Sequence, residues 1–336
     1  MTIRATWRLR RPPDDKDEAG HPAPGHDAPG LMPMEIWSAA DGPIEVEVLP
    51  GIGARLHRIR AFGVDLLRTP REPATHLADP FAWGGYVMAP WCNRIAAEPT
   101  PVDDRLVRLG SNIEDGSAIH GQVYDRPWEV VGPGRFRIRG GGDRWPWRYE
   151  VGLAVAIEGF TLRIEQTLVN IDDTAMPAGI GLHPWFVEPL EIRVPARGVY
   201  RSNLASSVAP VPVAGPYNLR RLGPLARGLD ATWTNLEDRP VDFHWPASGI
   251  RAELQARASI VPADGIPVAS HRREDARPRA RVCIVAANLG MGAVAIEPQT
   301  HAPQGLRRLL AGEPDAMLLL DPGETLRLSI ELGVLR

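Results

Sequence analysis

Tyr149-Glu-Val-Gly-Leu-Ala-Val-Ala-Ile157 and Phe160-Thr-Leu-Arg-Ile-Glu-Gln-Thr-Leu-Val169, separated by Glu158-Gly159, decide the fold class. In both runs apolar side chains recur at every second position, the period of a strand with one buried face. A short Glu-Gly link between two such runs reads as a hairpin turn. Working outward, Ile44-Glu-Val-Glu-Val-Leu49 alternates in the same way and is turned by Pro50-Gly51. Ala54-Arg-Leu-His-Arg-Ile59 alternates again, and Thr325-Leu-Arg-Leu-Ser-Ile-Glu-Leu332 follows the turn Asp321-Pro-Gly-Glu324. No long segment keeps a helical period; Gly305 to Ala311 is expected to form one short helix. Many short strands punctuated by Gly and Pro predict an all-β protein, a large sandwich or barrel.

The strands spread from early to late in the chain, which predicts a single domain over residues 31–336. A flexible leader is expected over residues 1–30. Arg11 to Gly30 is rich in Pro, Gly, Asp and His and has no bulky apolar residue, so it cannot bury enough surface to offset ordering entropy. His21 and His26, inside that stretch, are expected to be solvated.

Composition removes several function classes. The formal net charge of −3 over 336 residues shows no nucleic-acid footprint and no membrane-surface patch. The basic segment Met1–Arg11 is followed by no apolar core of a secretory signal, and no apolar stretch reaches membrane-spanning length, so a cytoplasmic protein is expected. Cys92 and Cys283 are too few for a disulfide framework and are expected to be buried small hydrophobes. Lys16 is the only lysine and falls in the expected leader, which argues against Schiff-base and pyridoxal-phosphate chemistry. There is no G-x-S-x-G elbow, phosphate loop, dinucleotide fingerprint or H-E-x-x-H. His57, His76 and His244 share no ligand spacing, so no metal site is expected.

Two segments carry candidate chemistry. Ala293-Val-Ala-Ile-Glu297-Pro298-Gln-Thr-His-Ala-Pro303 delivers a carboxylate on an apolar strand, and Pro298 is expected to end the ladder. Ala178-Gly-Ile-Gly-Leu-His183-Pro184-Trp185-Phe186 does the same for an imidazole beside aromatics. A partly desolvated carboxylate and a histidine are the parts of a general base and a general acid. Trp185 or Phe186 could supply an apolar platform for a sugar ring, or both could be core. His120-Gly121 is a histidine beside a residue whose backbone can approach a ligand closely. Asn93-Arg94 adds an amide and a guanidinium, for which a surface ion pair is the plain alternative. Asp230 sits in a Gly-flanked turn pattern common to many loops.

Taken in order, Asn93-Arg94-Ile95, His120-Gly121 with Trp128, His183-Pro-Trp-Phe186, Leu229-Asp230-Ala-Thr-Trp233, Ile296-Glu297-Pro-Gln299 and the Pro322-Gly-Glu324 turn resemble the aldose 1-epimerase (galactose mutarotase-like) family. The resemblance runs from about Glu45 to the C-terminus. It implies a large antiparallel β-supersandwich, an open sugar cleft and no cofactor. It also implies Glu297 as general base, His183 as general acid, and Asn93, Arg94, His120 and Asp230 as sugar-binding residues. The sequence departs from the family pattern at Trp185, at Val187, after His120-Gly121 and at Thr300-His-Ala-Pro-Gln304, positions expected to face the sugar. The leading expectation is therefore an aldose 1-epimerase acting on a free aldose, its sugar unspecified. A hexose-6-phosphate 1-epimerase, a non-catalytic sugar-binding protein and a carbohydrate lyase or hydrolase remain as alternatives.

Overall fold

The computed structural model describes residues 5–10, 34–202, 209–263 and 280–336. Lys16, His21, His26 and the remainder of the expected leader from residue 11 lie outside the described residues. Residues 8–10 do not belong to a leader. Arg8–Arg10 pairs antiparallel with Ile36–Asp41 as an edge strand, and Trp7 packs against the core. Ala5 packs there as well, whereas Leu9 is exposed.

About half of the protein is strand, gathered among the described residues into one sheet of 12 strands and another of nine. The all-β expectation holds. The hairpin forms as Tyr149–Glu158 and Thr161–Asn170, paired without interruption on either side of the turn Gly159-Phe160, one residue later than the expected Glu158-Gly159. Ile44–Leu49 and the short helix Gly305–Ala311 also fall where the alternation and its absence placed them.

The nine-stranded sheet is built on long strands, with Thr325–Leu335 between Thr161–Asn170 and Ile250–Val261. Its inner face supplies Val151, Leu162, Ile164, Leu328 and Ile330 to the core. Leu56, Val87, Leu182, Phe186, Ile284 and Ile296 come from the 12-stranded sheet and enter the same cluster. Each such side chain is worth about 1.5–3 kcal/mol on burial, so this contact between sheets is the main stabilising term. Cys92 and Cys283 are both buried free thiols. Among the described residues no helix is long and apolar enough to cross a membrane.

Four strands position the site: Gly85–Met88, Gly181–Val187, Ala293–Gln299 and Cys283–Ala287, adjacent in that order. Alternation sends Leu182, Phe186, Val294 and Ile296 into the core, and hence His183, Trp185, Ala293, Ala295 and Glu297 to the other face. Glu297 does not mark the end of its strand, as Pro298 had suggested. The strand runs on to Gln299, and Pro298 faces Ile284 in register. On the other side, pairing with Gly181–Val187 holds at Gly181↔Gln299 and again from Trp185↔Ala295, and lapses between them. Pro184 and Pro298, neither of which has an N–H to give, both fall in that lapse, so the ladder loses little by containing them.

Candidate active site

The same register places His183 directly across the lapse from Glu297. His183 Nε2 lies 3.1 Å from Glu297 Oε1, and both side chains are buried. Above them is a cavity of about 520 Å³, whose lining includes all of Asn93, Arg94, His120, His183, Asp230 and Glu297. Thus residues from five separate segments of the sequence converge on one concavity. Alanines at 287, 293 and 295 on the same face as Glu297 leave the room that larger strand residues would fill.

Two of the site residues sit in a costly backbone conformation. Asn93 has φ 50° and His120 has φ 62°, each the left-handed region that side chains other than glycine rarely adopt. Such residues carry of order 1–3 kcal/mol of strain each and are held by their surroundings. Here the holding groups are visible: Asn93 Oδ1 accepts from the Arg94 N–H, and the Asn93 carbonyl accepts from the His120 N–H. Gly121 serves the scaffold rather than a ligand. A Cβ there would lie 1.9 Å from the Ala89 carbonyl oxygen, so the close approach its sequence suggested is to the backbone of Ala89, just past the strand Gly85–Met88.

Burial sets the proton affinities. The Glu297 carboxyl is pushed well above the usual carboxylate range by desolvation, with Asp230 adding repulsion and Arg94 opposing. Desolvation lowers the His183 imidazole to about 3, and the Arg55 cation acts in the same direction. His120 is held well below its ordinary value by burial, then by His183 and Arg94. In the contacting pair burial thus disfavours both the carboxylate and the imidazolium, and so favours a neutral acid beside a neutral base. Glu297 Oε2, His183 Nδ1 and His120 Nδ1 have no partner among the described residues, so each has a hydrogen bond left to make. The donors of His120, His183 and Glu297 also lie within 4.8 Å of one another, close enough to hold a metal ion. That set differs from the histidines whose spacing was weighed in the sequence. His57 Nδ1 and His76 Nε2 instead form a buried pair at 2.9 Å, and His244 Nδ1 meets Glu191 at 2.9 Å.

Arg94 satisfies both of its sequence readings at once: it lines the cavity and its Nε donates to Asp115 at 2.7 Å. Asp230 begins the strand Asp230–Leu236 and reaches the cavity from the far side of Cys283–Ala287.

The arrangement of these strands is matched by known proteins. The family model for aldose 1-epimerase covers residues 42–213, slightly over half of the sequence. The chain belongs to the aldose 1-epimerase family. Among solved structures, galactose 1-epimerase from Lactobacillus acidophilus NCFM superposes with a TM-score of 0.66 at 13% identity, over 98% of this chain and 99% of that one. A galactose mutarotase-like protein from Clostridium acetobutylicum gives 0.72 at 14% identity, over 91% and 97%. An aldose epimerase homologue from C. elegans gives 0.68 at 18%, over 88% and 97%. These likenesses establish the galactose mutarotase-like fold. No curated protein matches the sequence.

Relative to the family pattern, the departures at 300–304 do not face the cavity. Thr300 Oγ1 accepts from the Ile180 N–H, and His301 is fully buried, its Nε2 accepting from the Cys92 N–H at 3.0 Å while Nδ1 donates to the Ala302 carbonyl. Gln304 Oε1 accepts from the Ala96 N–H, and its own N–H donates to the Arg94 carbonyl. In this epimerase-family protein the segment is a brace for the loop that carries Asn93 and Arg94. Trp185 does line the cavity, whereas Phe186 packs on Phe243 and Trp245 in the core. Sequence reasoning missed Asp79, Phe81, Tyr86, Asp115, Leu289 and Met291, all cavity-lining. Leu289 and Met291 lie in the Asn288-Leu-Gly-Met-Gly292 turn just before the Glu297 strand, a position that could have drawn attention to them. Tyr86 and Phe81 carried no such signal.

Proposed function

We propose that this chain interconverts the α and β anomers of a free aldose by acid–base ring opening and reclosure, without a cofactor. The observation that carries the reading is the buried His183–Glu297 contact of 3.1 Å on the floor of a sugar-sized cavity. Transfer of the shared proton from Glu297 to His183 turns the neutral pair into carboxylate and imidazolium with no exchange with solvent. Burial makes each of these ions costly, so the carboxylate is a strong base and the imidazolium a strong acid for its type.

Glu297 then takes the proton of the anomeric hydroxyl as the bond from C1 to the ring oxygen breaks, and His183 gives its proton to that oxygen. The product is an open-chain aldehyde. Rotation about C1–C2 presents the other face, and on reclosure Glu297 gives its proton to the carbonyl oxygen while His183 takes back the proton of the attacking hydroxyl. Each positioned acid or base contributes roughly 10²–10⁴-fold. His120 and Arg94 hold oxygens on one side and Asp230 holds a hydroxyl on the other, while Trp185 and Phe81 offer apolar surface to the sugar's C–H face.

The charge of the wall favours an uncharged sugar over a sugar phosphate. Asp79, Glu114, Asp115 and Asp230 surround the cavity, and Arg94, the arginine among the described lining residues, is already paired with Asp115. A phosphate dianion brought there would be repelled and poorly neutralised. Polarimetry on freshly dissolved α-anomers tests the proposal. Faster approach to the same equilibrium rotation is expected, with loss of at least about 10²-fold in Glu297→Gln. Undiminished turnover in that variant would remove Glu297 as the base, and acceleration restricted to sugar phosphates would reverse the choice of substrate.

A further inference from the structure

Tyr86 takes no part in the steps above, yet it is locked against the group that does. It faces His183 in register on the neighbouring strand Gly85–Met88. Its ring stacks on the imidazole with centroids 4.5 Å apart and planes 21° from parallel. The guanidinium of Arg55 sits 4.8 Å from the tyrosine ring centroid, held by donation to the Trp83 and Tyr124 carbonyls. Trp185 and His120, each with a ring centroid 5.0 Å from that of His183, confine the imidazole from other directions.

Packing explains the ring and leaves the hydroxyl unexplained. Tyr86 is 0% exposed and lines the cavity, and its hydroxyl has no hydrogen-bond partner among the described residues. A buried hydroxyl without a partner is a standing penalty that a phenylalanine, stacking equally well, would avoid. Burial, with Glu297 adding to it, keeps the phenol protonated, so at neutral pH the group is available as a donor.

We propose that Tyr86 is a working part of the site: its ring positions His183, and its hydroxyl donates to an oxygen of the bound sugar. This rests on the mutarotase reading, because it needs a sugar above His183.

The test compares Tyr86→Phe and Tyr86→Leu with the wild-type chain, by polarimetric kcat and KM and by sugar affinity from tryptophan fluorescence. Tyr86→Phe keeps the stack and loses the donor. Its KM and sugar Kd should rise about three- to tenfold, with kcat within about twofold. Tyr86→Leu loses the stack as well, and its kcat should fall by a further factor of about ten or more. The phenylalanine variant is nearly isosteric and reports on the hydroxyl even if the leucine variant folds poorly. Wild-type KM and Kd in Tyr86→Phe would overturn the donor role, and full kcat in Tyr86→Leu would overturn the positioning role. If the wild-type chain binds aldoses without turning them over, the function reading fails by itself. Weaker binding by Tyr86→Phe would then still support the hydroxyl contact, and equal binding would refute it.

Discussion

The two large sheets share one core and differ in how they use their backbones. In the nine-stranded sheet the central registers run unbroken, from Tyr149↔Asn170 to Glu158↔Thr161 and from Arg251↔Leu335 to Val261↔Thr325. In the 12-stranded sheet the strands are shorter, a bulge shifts the register between Glu47 and Val48, and pairing lapses around His183 and Glu297. A continuous ladder satisfies its polar backbone groups within the sheet and leaves its side chains to pack. An interrupted ladder, faced with alanines, leaves room and hydrogen-bonding capacity for something else. The same architecture thus separates a stabilising sheet from one that bears the candidate site.

His183→Asn should break the comparison most visibly. It strikes the interrupted sheet, and anomer interconversion should fall about 10²–10⁴-fold while the urea midpoint stays close to that of the wild-type chain. Loss of folding in step with activity would mean that His183 is structural. Leu328→Ala probes the other sheet, where the side chain is fully buried. Denaturation should show about 2–5 kcal/mol of lost stability, and kcat of the folded fraction should hold.

Acid should find the site-bearing sheet first. Burial, the first cause in each case, lowers His57 and His301 to about 4, His183 to about 3 and His76 to about 2. Between these values and the ordinary 6.5 the unfolded chain binds more protons than the folded one. Stability conferred by keeping these imidazoles neutral is therefore complete above about pH 6.5 and is lost as pH falls toward 4. The slope is about 1.4 kcal/mol per pH unit for each group fully engaged. Urea midpoints across that range measure it, and a flat profile would show that these side chains are hydrated. Glu297 works in the opposite sense: its raised affinity makes its burial increasingly unfavourable as pH rises above the ordinary carboxylate range. The smallest effect should come from Phe160→Ser at the hairpin, where the ring is 59% exposed. A change within about 0.5 kcal/mol is expected, since it leaves both registers intact.

Much of the regular sheet was legible because its information is local. Alternation over ten residues names a strand and its buried face, and Gly159 marks the turn, which falls on Gly159-Phe160 rather than Glu158-Gly159. Glu297 and His183 were legible as reactive groups on apolar strands, and Asn93, Arg94, His120 and Asp230 through the ordered resemblance. Pro298 misled, since a proline ends a strand only where its N–H would have been used. Gly121 misled because a glycine reports a close approach without saying to what. Thr300–Gln304 looked ligand-facing beside Glu297, yet Thr300 is bonded to the Ile180 backbone, and His301 and Gln304 to the backbone of residues 92–96, distant in sequence. Tyr86 left no local mark, being one aromatic in an ordinary strand.

By itself the sequence determined the strand period, the turns, the short helix and the residue types able to move a proton. Only the tertiary structure decided that Tyr86, His183 and Glu297 lie in one row across three neighbouring strands, with alanines clearing the space beside them. The physical reason is the range of the interactions. A two-residue alternation is written in adjacent side chains, whereas register between distant strands is settled by the packing of the whole core, where a slip of one residue would turn all three groups away from the cavity.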